Sequence, residues 1–120
     1  MNDKVDELRF YQLAMTLWDE CWNDCEILSK DFRGKEVAKQ LIRSVGSISA
    51  NIEEGYGRGF GKEYPHFLRI ARGSARESRG WYSRSKHLLN HDIIELRIAG
   101  FSSIIAMLTK SIQTIENSKK

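Results

Sequence analysis

Residues 94–115 read IELRIAGFSSIIAMLTKSIQTI. Ile94, Ile98, Phe101, Ile105, Leu108, Ile112 and Ile115 recur at spacings of 4, 3, 4, 3, 4 and 3. This heptad seam specifies a long helix with one apolar side, which other helices must cover. Asn90-His91-Asp92 punctuates the chain before it, and Asp92 is the expected N-cap.

Three more helical patterns precede the seam. One begins near Lys62 with Pro65 in its first turn, where a missing N–H costs little. Its inner face is Tyr64, Phe67, Leu68, Ala71, Ser74, Ala75, Ser78, Tyr82 and Leu89, with small residues at the middle that admit a close neighbour. Another runs from a break at Phe32-Arg33-Gly34 to about Glu54, on Val37, Leu41, Val45, Ile48 and Ile52, widened by Ala38 and Ile42. Gly55 is expected to cap it, because a left-handed residue is cheap only for glycine. The first pattern spans about Asp3 to Lys30, on Tyr11, Ala14, Trp18, Cys21, Cys25 and Leu28. No segment alternates convincingly with period two. The expected fold class is therefore all-α, an antiparallel up-down four-helix bundle in one domain over residues 1–120.

Composition agrees with this reading. A chain of 120 residues can bury one core without staples. No apolar run approaches the roughly 18–20 residues that cross a bilayer. The opening MNDKVDELRFYQ is acidic and polar, unlike a secretory signal, so a cytoplasmic protein with no membrane partner is expected. Cys21 and Cys25, four apart on one helix face, read as buried free thiols rather than a disulfide.

The net charge of +3 is small, but it is segregated. Residues 1–30 hold seven acids against three bases, a net −4, whereas residues 58–86 hold eight bases against two acids, a net +6. Such segregation points to partners more than the total does.

Between the second and third helices lies SANIEEGYGRGFGKEY, residues 49–64. A dinucleotide loop needs G-x-G-x-x-G, but the third glycine falls on Phe60 from Gly55 and on Lys62 from Gly57. A P-loop needs a glycine at Tyr56 and Ser or Thr at Glu63. Both patterns fail, and no strand precedes them. A helix-turn-helix reading of KEVAKQLIRSVGSISANIEEG, residues 35–55, also fails. Ile42 stands where the turn glycine belongs, and the apolar stripe runs unbroken through the supposed turn.

A family resemblance does emerge. Arg43-Ser44, Ser47-Ile48, Asn51-Ile52, Glu54-Gly55-Tyr56-Gly57-Arg58, Lys62-Glu63, Ile70-Ala71-Arg72-Gly73-Ser74 and Glu77 follow in order and spacing. The chain resembles the bacterial four-helix bundle proteins encoded in intervening sequences of 23S ribosomal RNA genes. It is similar, too, to the accessory variability determinant of diversity-generating retroelements. The resemblance implies a homo-oligomer, a pentamer with a central channel, and a nucleic-acid partner, with a reverse transcriptase as a further partner. The chain departs from the family at Ser49, usually proline, at Glu53, usually alanine, and in ARESRGWYSRS, where leucines are usual.

Arg69, Arg72, Arg76 and Arg79 are spaced 3, 4 and 3, one stripe on the third helix, with Arg58 and Lys62 near its start. The arginine fork suits phosphate, so these six are the candidate nucleic-acid-binding residues. The competing readings are a solvated face, or salt bridges to the acidic first helix through Asp19, Glu20, Asp24 and Glu26. Arg43, Asn51, Glu54, Gly55, Tyr56 and Glu77 form the candidate structural motif, with Arg43 and Asn51 sharing a face. A polar cluster that fixes helix register outweighs a catalytic carboxylate pair, since no base–nucleophile constellation accompanies it. His87 and His91 have metal-compatible spacing but lack a zincin glutamate and an evident third ligand. Trp18 belongs with the core; Trp22 and Trp81 suit a subunit contact. The expectation is a non-enzymatic, cofactor-free, oligomeric bundle that binds RNA or DNA. The alternative is a scaffold whose basic helix docks an acidic partner or neighbouring subunit.

Overall fold

The structure is a computed structural model that describes residues 4–59 and 61–118. Four helices occur in order: α1 Arg9–Leu28, α2 Phe32–Gly57, α3 Glu63–Arg84 and α4 His91–Asn117. A 3₁₀ turn at Lys4–Glu7 leads into α1, and another at Ser85–His87 leaves α3. The described residues contain no strand. The molecule is a four-helix bundle about 50 Å long and 20–25 Å across.

Pairings across each seam show that neighbours run antiparallel. Tyr11 on α1 donates to Glu53 on α2, while the Cys25 thiol reaches the Ala38 carbonyl. Ser78 and Ser74 on α3 donate to Ser44 and Ser47 on α2, both at 2.9 Å. These serines and Ala71 and Ala75 are the small residues that let α2 and α3 approach. One core runs through all four helices, with Leu17, Leu28, Leu41, Ile48, Ile52, Leu68, Tyr82, Phe101, Ile104 and Leu108 almost fully buried. The heptad seam of α4 faces it. Ile94, Phe101, Ile105, Leu108 and Ile112 are buried, and Ile98 and Ile115 pack at its edge.

Several boundaries differ from expectation. The Asp3 start of the first helix lies outside the described residues; Leu8 is extended, so α1 begins at Arg9. Phe32-Arg33-Gly34 is the first turn of α2 rather than the break. The break is Ser29–Asp31, and the Asp31 side chain caps the Arg33 and Gly34 amides at 2.8 and 3.3 Å. Gly34 has to be glycine, since a Cβ there would stand 2.0 Å from the Leu28 carbonyl oxygen. Gly55 does not cap α2. It is buried inside the helix, where a Cβ would come within 2.7 Å of the Phe67 Cβ on α3. The left-handed residue is Gly59, with φ of +90°. At α4 the cap is Asn90, which accepts from the Asp92 amide, so Asp92 is a first-turn residue.

Candidate nucleic-acid interface

The antiparallel packing of α3 and α4 lays the arginine stripe along their shared groove. Arg79 Nη1 donates to Ser102 Oγ and Arg72 Nη1 to Thr109 Oγ1, both at 3.1 Å, and Arg69 is ion-paired with Glu116. Ser102, Thr109 and Glu116 are seven apart, the heptad repeat of α4 seen from its outer edge. Arg76 is exposed and has no side-chain partner among the described residues.

The partners decide the electrostatics. A guanidinium carries five N–H donors, and Arg72 and Arg79 each give one to a neutral hydroxyl. Their charges are oriented without being cancelled. Arg69 is the neutralised member. Lys62 is exposed beside Pro65, Arg69 and Glu116 at the N-terminal end of the stripe. Arg58 stands apart: Glu54 holds it at 2.9 Å, Glu63 lies at 3.6 Å, and its guanidinium rests 5.5 Å from the Phe67 ring centre. Glu54 chiefly, and Glu63 with it, holds the Arg58 pKa above its ordinary value. The arrangement ties the end of α2 to the start of α3.

The alternative salt bridges from the stripe to α1 do not form among the described residues. Asp24 is buried and takes Arg97 of α4 instead, with Nε at 2.8 Å from Oδ2 and Nη2 at 3.2 Å from Oδ1. Tyr82 donates to the same carboxylate at 2.6 Å, and Glu20 accepts from Arg97 Nη1 at 2.6 Å. Burial pulls the Arg97 pKa down, but the hydrogen bond and charge of Asp24 outweigh it and leave a net rise. Burial, with Cys21 and Asp24 alongside, pushes the Tyr82 phenol well up, so it stays a donor. This network ties α1, α3 and α4 together on the seam away from the stripe. Asp19 and Glu26 remain exposed on α1.

The structural motif separates into three levels. At one, Arg43 lies 3.8 Å from Glu77 on the surface, and Glu77 also accepts from Trp81 Nε1 at 3.2 Å. In the middle, Asn51 Nδ2 donates to the Ser47 carbonyl at 2.8 Å and to Ser47 Oγ at 2.9 Å, continuing the chain to Ser74. At the last, Glu54 holds Arg58, Gly55 packs against Phe67 and Tyr64 of α3, and Tyr56 packs edge-on to Tyr64 at 6.0 Å. Arg43 and Asn51 therefore do not share a cluster. Eight residues carry a helix about 80° past two full turns, enough to part them.

Sequence reasoning missed Arg97, Tyr82 as a polar anchor, and the Ser102, Thr109 and Glu116 row. The row had a signal, its sevenfold spacing opposite four arginines. His91 pairs with Glu95 at 3.2 Å, and no group of three metal-ligating side chains occurs among the described residues. Cys21 and Cys25 are both buried free thiols, their sulfurs 3.8 Å apart. Trp18 is partly buried against the core, Trp22 is 57% exposed, and Trp81 lies under Arg84. No described helix is long and apolar enough to cross a membrane.

Residues 6–110 match the model of the family described as 23S rRNA-intervening sequence protein. Among solved structures, the chain is similar to a protein of unknown function from the S23 ribosomal protein family of Bacteroides thetaiotaomicron, determined at 1.70 Å. The TM-score is 0.78 at 22% identity, over 86% of this chain and 97% of that one, a likeness of fold. No curated protein matches the chain.

Proposed function

The chain belongs to the 23S rRNA-intervening sequence protein family, and from that premise we propose that it is a non-enzymatic, self-associating bundle of the cytoplasm that binds RNA or DNA through the α3–α4 groove. The observation that carries this reading is the pairing of Arg72 and Arg79 with neutral hydroxyls, beside the unpartnered Arg76. The groove holds cations in fixed positions with donors left for phosphate. Contacts of this kind track a backbone without reading bases, so binding is tolerant of sequence. Glu54 and Glu77 are each engaged by an arginine and lie at different levels, which supports a non-enzymatic role.

Self-association multiplies the phosphate contacts of each weak groove. The α1–α2 face supports it: Trp22 and Ile42 are exposed together there, and Met15 is exposed beside Gly46 and Ala50. A pentamer acting beside a reverse transcriptase or a ribosomal RNA complex is the specific assembly this reading favours. Gel-shift titration at several salt concentrations tests the binding. Undetectable binding at low salt, or binding unchanged by alanine at Arg72, Arg76 and Arg79, rejects it.

One observation favours a second reading. The acidic α1 carries exposed Trp22, a suitable complement for the basic α3 of a neighbouring copy. The groove would then be a subunit contact. Light scattering on Trp22→Glu and on Arg76→Glu separates the two, since only a subunit contact makes both dissociate.

A further inference from the structure

At the end of the bundle where the α1–α2 turn meets the link after α3, the helices leave a cavity of about 150 Å³. Leu28, Val37 and Leu88 supply apolar walls, and Arg33, Arg84 and His87 stand around it. Gly34 closes it against Leu88, with no room for a side chain. Arg84 is exposed but oriented: its guanidinium lies 5.0 Å from the Trp81 ring centre, and Gly80 leaves space for its Nη1. It has no carboxylate partner among the described residues, whereas Arg33 already chelates Asp31 at 3.0 and 3.1 Å. Lys30, Lys35 and Lys86 lie close in sequence to these residues and are exposed.

We propose that this cavity binds a small organic acid, one carboxylate on an apolar body of benzene size. The size follows from the volume, because a cavity of about 150 Å³ has room for one benzene-sized molecule. The charge follows from Arg84, a held guanidinium that matches a carboxylate in planar, two-point geometry. Apolar walls with a few placed polar groups, here Arg84 with Arg33 and His87 nearby, are the usual makeup of a small-molecule site. The site lies at the end of the bundle and is independent of the groove.

Benzoate and its neutral counterpart benzyl alcohol are the probes, titrated into the full-length ¹⁵N-labelled chain. Benzoate should give saturable amide shifts at Gly34, Val37, Ser85 and Leu88, with Kd of about 1 mM or below. Arg84→Gln should weaken benzoate by about tenfold and leave benzyl alcohol unchanged. Overhauser contacts from the ligand ring to the Leu28, Val37 and Leu88 methyls should place it without any variant. Leu88→Trp, at a half-exposed position, should block both ligands. Shifts that never saturate, equal affinity for the two probes, or absence of the methyl contacts at saturation overturns the proposal.

Discussion

Arg72 Nη1 donates to Thr109 Oγ1 at 3.1 Å, and Thr109 Oγ1 in turn donates to the Ile105 carbonyl at 2.8 Å. The threonine therefore turns its lone pairs outward to the guanidinium and holds it without adding charge. A carboxylate at the same place would hold it and cancel it. Thr109→Glu should retain the helical circular-dichroism spectrum and weaken nucleic-acid binding about threefold to tenfold, the loss of about one phosphate contact. Thr109→Val should bind nearly as wild type, because the charge survives. A gel shift on the two variants side by side checks both.

Arg97 and Asp24 present the opposite case, a charge pair taken out of water. Their side chains are 11% and 4% exposed. Arg97→Met leaves the Asp24 carboxylate with Tyr82 alone, and should cost about 3–5 kcal/mol in urea denaturation. The double variant Arg97→Met with Asp24→Leu should recover much of that, since no buried charge is left behind.

Two glycines two positions apart should respond differently. A Cβ at Gly55 meets α3 backbone-proximal atoms at 2.7 Å, whereas a Cβ at the position two residues on, Gly57, meets nothing within 4 Å. Gly55→Ala should destabilise by about 1–3 kcal/mol through overpacking. Gly57→Ala should be neutral or stabilise by up to about 1 kcal/mol, since it restricts the unfolded chain and favours the helix. Thermal melts of the two proteins decide it.

Asp31 gives a pH signature. The side-chain hydrogen bonds from Arg33, together with the Arg33 and Gly34 amides, hold its carboxyl well below the usual carboxylate range. A pKa depressed on folding stabilises fully above the unfolded value of about 4. That stabilisation is lost as pH falls toward the folded value. Asp31→Ala should therefore melt a few degrees below wild type at pH 7, and the gap should narrow below about pH 4. A gap that is constant from pH 7 to pH 2 contradicts the ionic cap.

The fold was legible because the strongest signal, the apolar seam of α4, is local and periodic. The arginine stripe was legible for the same reason. What escaped depended on register between helices. Nothing in the spacing of Arg97 distinguishes it from a surface arginine until α1 brings Asp24 beside it. Phe32 misled in another way, being an aromatic residue 78% exposed in the first turn of α2, so that it looked like part of a loop. Gly55 looked like a cap because glycine ends helices more often than it admits a neighbour. Only the approach of Phe67 shows which role it has.

The central claim is that Arg72, Arg76 and Arg79 meet phosphate while Arg69 is spent on Glu116. The most direct measurement is the salt dependence of binding to random-sequence single-stranded RNA, for wild type and for the triple variant Arg72→Ala, Arg76→Ala, Arg79→Ala. For wild type, log Kobs should fall linearly with log salt, and the triple variant should lose about two units of that slope. Equal slopes for the two proteins, or no binding by wild type at low salt, would contradict it.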